Sequence, residues 1–378
     1  MKILVLENVL FSRGGQEKSL LDVCEGLSSR GHSIDLMYRT GGVLESRYRK
    51  FCSRMIRVKS YSIERRDPFA FMDWLASSWK GIHIKPDIVY ANQYHDSLCA
   101  GLISRITGAP FICHLRLPPP SLLCTQYRIG MSRVSHMIAV SENTRALWVK
   151  FGFSKDKISV VHNGIDVKSY AAVTDPKIIR KQFNIPENTL VVTYAGRLGA
   201  AKGLGVLLKA FVSARQKEPR LHLVICGRSG EKVNVDGSIR EYLDYFKSQG
   251  QLLGIGEHIT YIEHTEEIPY LFGASDLVVL PSLWPEPFGR ILIESMACGT
   301  PAVGSRVGGI PEILFGEAKS FLCEPNDESE LAALLGRYAN WRAEDPSLGM
   351  RCRQHVAEHF NLETMVKGVE EVFLKTVK

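Results

Sequence analysis

Two glutamates separated by seven residues, Glu286 and Glu294, stand on either side of a predicted helix start. Glu286 lies in Trp284-Pro285-Glu286-Pro287, where each proline biases the preceding residue toward an extended backbone and removes an amide donor. The helix therefore begins after it. From about Gly289 the apolar positions Ile291, Leu292, Met296 and Ala297 form a helical stripe, closed by Gly299 and Pro301. Such a start presents the N–H groups of residues 288–291 (Phe288, Gly289, Arg290 and Ile291) and the positive end of the helix dipole, and Arg290 adds a full charge. That combination suits an anion such as a diphosphate. Carboxylates on its two flanks gain a use if they accept from hydroxyls: Glu294 from a ribose, Glu286 from a sugar. A lone glutamate is ordinarily a solvated surface group, so the pairing about one anion site carries the inference.

A second group of charges fits the same ligand. Arg197 and Lys202 leave one loop in Tyr194-Ala195-Gly196-Arg197-Leu198 and Lys202-Gly203, between a predicted strand and a predicted helix. Two cations there suit a diphosphate through charge-assisted hydrogen bonds and would stabilise the charge on a departing nucleoside diphosphate. Nearer the N-terminus, Ser12-Arg13-Gly14-Gly15-Gln16-Glu17 joins the first strand to the first helix. Gly14 and Gly15 permit close backbone approach to a ligand, although a glycine-eased turn needs no ligand at all. His114, in Cys113-His114-Leu115-Arg116, is the histidine placed to act on the catalytic side.

The elements that must position these residues alternate. Residues 2–8, 33–39, 87–92, 110–115 and 136–141 read as strands with helices between them, and Ser141 caps the helix that follows. After a polar stretch over residues 167–188 with Pro176 and Pro186, the alternation restarts at residues 190–196, 221–227, 259–263, 277–282 and 301–305. Two such series imply two Rossmann-like α/β domains, with ligands at the carboxyl ends of parallel strands.

The pattern Glu286-x-Phe288-Gly289-x-x-x-x-Glu294-x-Met296-Ala297-x-Gly299-x-Pro301, followed by Gly308-Gly309-x-Pro311-Glu312, resembles the signature of the retaining family 4 glycosyltransferases of GT-B fold. The segment from Ala195 to Gly203 resembles that family's diphosphate-binding loop, and Gly14-Gly15-Gln16-Glu17 its G-G-x-E loop. The resemblance implies two Rossmann-like domains facing each other across a cleft: an acceptor-binding domain over residues 1–167 and a nucleotide-sugar-binding domain over residues 168–359. A final helix within residues 360–378 packs back on the first domain. It also implies that Gly15 faces the donor phosphate, that His114 and Arg116 lie near the transferred sugar, and that the reaction is a front-side displacement with the leaving phosphate oxygen taking the acceptor proton. Glu263, in Tyr261-Ile262-Glu263-His264, stands where many relatives have glycine, and residues 226–230 match only the general shape of the family's turn, so the base is weakly specified. By family frequency the donor is UDP-glucose, with GDP-mannose next; the expected acceptor is a glycan or lipid-linked saccharide of surface polysaccharide synthesis, consistent with the basic run from Arg47 to Lys59. No metal or other cofactor is expected, since no Asp-x-Asp occurs.

Length and composition agree with a two-domain enzyme. The chain has 378 residues, 45% hydrophobic and 23% charged, beyond one comfortable core and outside the disordered and fibrous classes. No apolar run is long enough to span a bilayer, and the first ten residues, broken by Glu7, read as a strand and not a signal peptide. Nine scattered cysteines without metal spacing indicate reduced thiols and a cytoplasmic setting. The net charge of +7 is concentrated at Arg47, Arg49, Lys50, Arg54, Arg57 and Lys59, with Arg65 and Arg66 close behind. This run is either a solvated face or a peripheral contact with anionic lipid on the inner face of the plasma membrane. Nucleic acid is disfavoured, because the run has no interleaved stacking aromatics beyond Tyr48 and Phe51 and no known nucleic-acid motif accompanies it. A nucleotide-sugar epimerase of the same fold and a non-catalytic sugar-nucleotide sensor are the rival functions; a nicotinamide dehydrogenase lacks its glycine fingerprint after Leu6.

Overall fold

The computed structural model describes residues 1–11, 14–63, 68–170, 175–235, 238–263 and 265–377; Ser12, Arg13, Arg65, Arg66 and His264 lie outside them. Two compact units emerge, one formed by Met1–Gly164 with Leu362–Lys378 and the other by Ile165–Asn361. Ile165 and Asn361 form a parallel bridge, and the Ile165 amide donates to the Phe360 carbonyl at 2.9 Å, which places the first and last residues of the second unit side by side.

The first unit is a parallel sheet of β1 (Lys2–Val9), β2 (Ser33–Thr40), β3 (Arg54–Arg57), β4 (Ile88–Ala91), β5 (Phe111–Leu115), β6 (Val134–Ala139) and β7 (Ile158–Val160) in the order β3-β2-β1-β4-β5-β6-β7. Successive side chains of β1 point to opposite faces: Ile3 and Val5 join one buried cluster, Leu4 and Leu6 the other. That alternation with both faces covered is what a doubly wound sheet requires. Helices Gly15–Ser29 and Leu362–Val377 cover the first face, contributing Leu20, Leu21, Val369 and Phe373. Helix Ser97–Thr107 covers the other with Cys99, Ala100 and Ile103.

The second unit holds β8 (Leu190–Ala195), β9 (Leu221–Cys226), β12 (Ile259–Ile262), β13 (Leu277–Leu280), β14 (Ala302–Ser305) and β15 (Leu322–Cys323), all parallel in the order β12-β9-β8-β13-β14-β15. An antiparallel hairpin, β10 (Lys232–Val235) with β11 (Ser238–Glu241), is inserted after β9. Sequence alternation did not anticipate it. Nor did it anticipate β3, which uses the basic run as an edge strand, or the helix Ala70–Ile84.

Candidate functional site

In the second sheet the chain runs from β8 outward to β9 and β12, then crosses back to the other side of β8 as β13. The strand order reverses between β8 and β13, and loops leaving the carboxyl ends of such a pair diverge and expose a crevice where ligands bind. The loop after β8 carries Arg197 and Lys202; the loop after β13 carries Glu286. They are locked together by backbone: the Leu283 amide donates to the Ala201 carbonyl at 2.9 Å, and Gly203, at φ +73°, approaches so closely that a Cβ would stand 1.7 Å from the Pro281 carbonyl oxygen. Only glycine meets both demands there. From the other side the Gly309 amide donates to the Glu286 carbonyl at 2.7 Å.

Within this frame the Lys202 ammonium donates to Glu286 Oε2 at 2.5 Å. Trp284 Nε1 donates to the same oxygen at 2.8 Å, and the Lys202 ammonium sits 5.0 Å from the centre of the Trp284 ring. Neither Lys202 nor Glu286 is fully buried, so a ligand can reach both; Arg197 is exposed. Tyr194, at the end of β8, donates its hydroxyl to the Arg197 carbonyl at 2.7 Å and so fixes the loop from below. Burial, and secondarily the nearby Glu286 charge, push the Tyr194 phenol up, keeping it a neutral donor.

The predicted helix is present as Arg290–Ala297, with Gly289 as N-cap at φ +101° and Gly299 following at φ +78°. Its first turn starts in the loop that carries Glu286, with Phe288 and Gly289 buried and Ile291 half-buried. Arg290 takes a place that sequence reasoning did not assign. Its guanidinium is buried and its Nε donates to Glu294 Oε1 at 2.7 Å, one helical turn on. Tyr170 donates its hydroxyl to the same oxygen at 3.2 Å. Arg290 thus orients Glu294, and the more accessible cations of the site are Arg197 and Lys202. Tyr170 was invisible to motif reasoning, since it lies 124 positions away. Glu263 is exposed and 3.5 Å from Arg228.

The first unit has its own strand-order reversal, between β1 and β4, and a buried polar seam crosses it. Asn92, just past β4, donates to Glu7 Oε2 at 2.5 Å and accepts from Arg116 Nε at 2.5 Å. Arg116 Nη1 continues to Ser19 Oγ at 2.8 Å and Asn163 Oδ1 at 3.1 Å. Burial, reinforced by the Glu17 charge, raises the Glu7 carboxyl to about 7. A glutamate within the apolar run of β1 was the sequence signal for this seam.

His114 lies within β5, fully buried, with Nδ1 2.5 Å from the Tyr90 hydroxyl and Nε2 lacking a hydrogen-bond partner. Burial and then the Arg116 charge hold its pKa well below the usual range, so the ring is neutral. Gly14 and Gly15 are exposed at the start of helix Gly15–Ser29. Two residues on, Glu17 is buried, taking a 2.9 Å bond from Gln16 Nε2 at Oε1 and none at Oε2. Gly14 and Gly15 therefore sit beside the seam, whereas His114 and Arg116 are set into the sheet and its edge.

Residues 175–348 match the family described as glycosyl transferases group 1, and residues 13–169 match glycosyltransferase family 4. Among curated proteins the chain is similar to D-inositol 3-phosphate glycosyltransferase of Salinispora tropica, 28% identical over 58% of this chain and 46% of the relative. It is also similar to N-acetyl-alpha-D-glucosaminyl L-malate synthase of Bacillus anthracis, 23% identical over 97% of this chain and 95% of that one. The matched region spans about half the length of the first few curated relatives. Among solved structures, HepE of Anabaena in complex with UDP-glucose superposes with a TM-score of 0.82 at 24% identity, covering 99% of this chain and 100% of that one.

Proposed function

Because the chain belongs to the family 4 glycosyltransferases of GT-B fold, we propose that it is a retaining, metal-independent hexosyltransferase. Its donor is a nucleoside diphosphate sugar, UDP-glucose foremost. Its acceptor is a hydroxyl of a glycan or lipid-linked saccharide in surface polysaccharide synthesis.

The observation that carries this reading is the meeting of Lys202 and Glu286 at the reversal of the second sheet. In the resting protein each neutralises the other. A diphosphate entering beside the helix start gives Lys202 a new anion, with Arg197 as the second cation. Glu286, released from the ammonium, accepts from hydroxyls of the donor sugar. Glu294, oriented by Arg290 and Tyr170, accepts from the ribose. The two cations take up the charge that appears on the diphosphate as the bond from the anomeric carbon to its oxygen breaks. The acceptor hydroxyl oxygen bonds to that carbon on the same face, and its proton passes to the departing phosphate oxygen, so Glu286 is no nucleophile.

The catalytic-side role of His114 belongs to the same proposal. As a neutral ring buried against Tyr90, it acts as a hydrogen-bonding group toward sugar and not as a proton donor. Among the described residues no helix is long and apolar enough to cross a membrane. A lipid-linked acceptor is then met by peripheral contact of the cations at residues 47–59 with the anionic inner face of the plasma membrane.

Calorimetry with UDP, GDP, ADP and their sugars tests the donor. Tight binding of UDP and UDP-glucose with slow hydrolysis of the latter fits a hexosyltransferase. Isomerised donor without acceptor would identify an epimerase, and binding without any turnover a sensor.

A further inference from the structure

The helix Ala70–Ile84 carries large apolar residues on both of its sides. Toward the core it buries Ala70, Ser77, Ser78, Gly81 and Ile84 and packs Trp74 and Ile82, and a Cβ on Gly81 would stand 2.4 Å from Ile103 Cδ1. Its outward residues are large and apolar: Phe71, Met72, Leu75 and Trp79, extended by Phe69 just before the first turn. Phe69 is 69% exposed, Trp79 60% and Met72 59%. Positions 72, 75 and 79 fall on one stripe of the helix. Trp74, Ile82 and Ile84 already serve the core, so folding gives no reason for a second, outward apolar set, and a contiguous stripe of this kind marks a binding face.

The surroundings are cationic. Arg54 and Lys80 line an open groove with Trp79 and His83, Arg57 ends edge strand β3, and Lys59 lies two residues beyond it. Among the described residues, Asp73 stands 3.0 Å from the Lys59 ammonium and Asp35 3.8 Å from Arg54. By contrast Arg47 and Arg49, in the same basic run, are paired within 2.5 Å with Glu25 and Glu45. A symmetric contact between two copies through this stripe would set Arg54, Arg57 and Lys80 against their own counterparts, which repel. An apolar stripe with a tryptophan, rimmed by cations, matches a surface with hydrocarbon below and negative charge above.

We infer that helix Ala70–Ile84 is an interfacial anchor that seats its Phe71, Met72, Leu75 and Trp79 stripe in anionic lipid while Arg54, Arg57 and Lys80 engage the headgroups. The inference rests on the peripheral contact proposed above, narrows its charges within residues 47–59 to Arg54 and Arg57, and adds an apolar seat on this helix. The experiment is co-sedimentation of the full chain with vesicles of phosphatidylcholine alone or mixed with phosphatidylglycerol, at low and high salt. Expected is partition onto the mixed vesicles only, reduced at least tenfold in the double variant Phe71→Ser, Trp79→Ser and reduced in Arg54→Gln, Arg57→Gln. Arg47→Gln, Arg49→Gln should bind within twofold of wild type. UDP affinity, unchanged in all variants, verifies folding. If the serine variant binds as wild type while the Arg54, Arg57 variant does not, the anchor is wrong and the electrostatic contact stands. Absence of binding to any vesicle defeats both. Self-association in solution that the serine substitutions abolish would assign the face to a second copy and overturn the lipid assignment.

Discussion

Lys202 and Glu286 lie 84 positions apart in sequence and 2.5 Å apart in space, a charge pair held by two loops that leave neighbouring strands. The pair sits in a partly exposed site where a bound anion can compete for the ammonium. Replacing Lys202 with methionine should weaken UDP binding by at least about 2 kcal/mol, roughly 30-fold, the value of one charge-assisted contact. Arg197→Ala, at an exposed side chain, should cost a similar amount. Calorimetry reads both, and unchanged affinities would rule out the phosphate clamp.

Glu286→Gln separates binding from turnover. Its loss frees Lys202 from an internal counter-ion, so UDP should bind as well as to wild type or more tightly. Hydrolysis of UDP-glucose should fall at least about 100-fold, as for one lost contact to the reacting sugar. A variant with weakened UDP binding and normal hydrolysis would refute the assigned roles.

Glu7 makes stability depend on pH. Its carboxyl titrates near 7 in the folded protein against 4.5 unperturbed, so the native state holds more protons than the unfolded chain between those values. Stability therefore falls as pH rises through that window and levels off above it, by about 3 kcal/mol in all. Denaturant unfolding at about pH 5 and about pH 8 should show this loss in wild type and a smaller one in Glu7→Gln, where the buried Asp96 carboxyl, also raised, keeps its own share. The misfit of the new amide with Asn92 lowers stability equally at both pH values and cancels.

Gly203→Ala should lower Tm by at least about 3 °C, since the new methyl meets the Pro281 carbonyl in a left-handed turn. Gly205→Ala, two positions along in open space within the helix Leu204–Lys217, should leave Tm equal or higher. Equal losses in the two variants would mean that the close approach at Gly203 is unimportant.

The motif residues were legible because each sits on a local signal. Ser141 caps its helix through a 3.0 Å bond from the Thr144 amide, as its position before an apolar run implies. Pro287 and Gly289 similarly fix where helix Arg290–Ala297 starts. What escaped was pairing over distance. Arg290 could be placed at the helix start, but its turn toward Glu294, under Tyr170, depends on a tertiary neighbour. Helix Ala70–Ile84 escaped because it is apolar on two sides, Trp74, Ile82 and Ile84 toward the core and Phe71, Met72, Leu75 and Trp79 outward, which blurs the one-stripe period. The hairpin of β10 and β11 and the two-residue β15 are too short to carry a periodic signal.

The terminal helix Leu362–Val377 belongs to the unit that opens the chain, burying Val369 and Phe373 against it. During vectorial synthesis the face it covers stays bare until that helix is translated, while the contiguous stretch Ile165–Asn361 already has all its strands. The half that leaves the ribosome second is thus the first that can finish, and the opening half must wait, with greasy surface showing, for its lid to be translated.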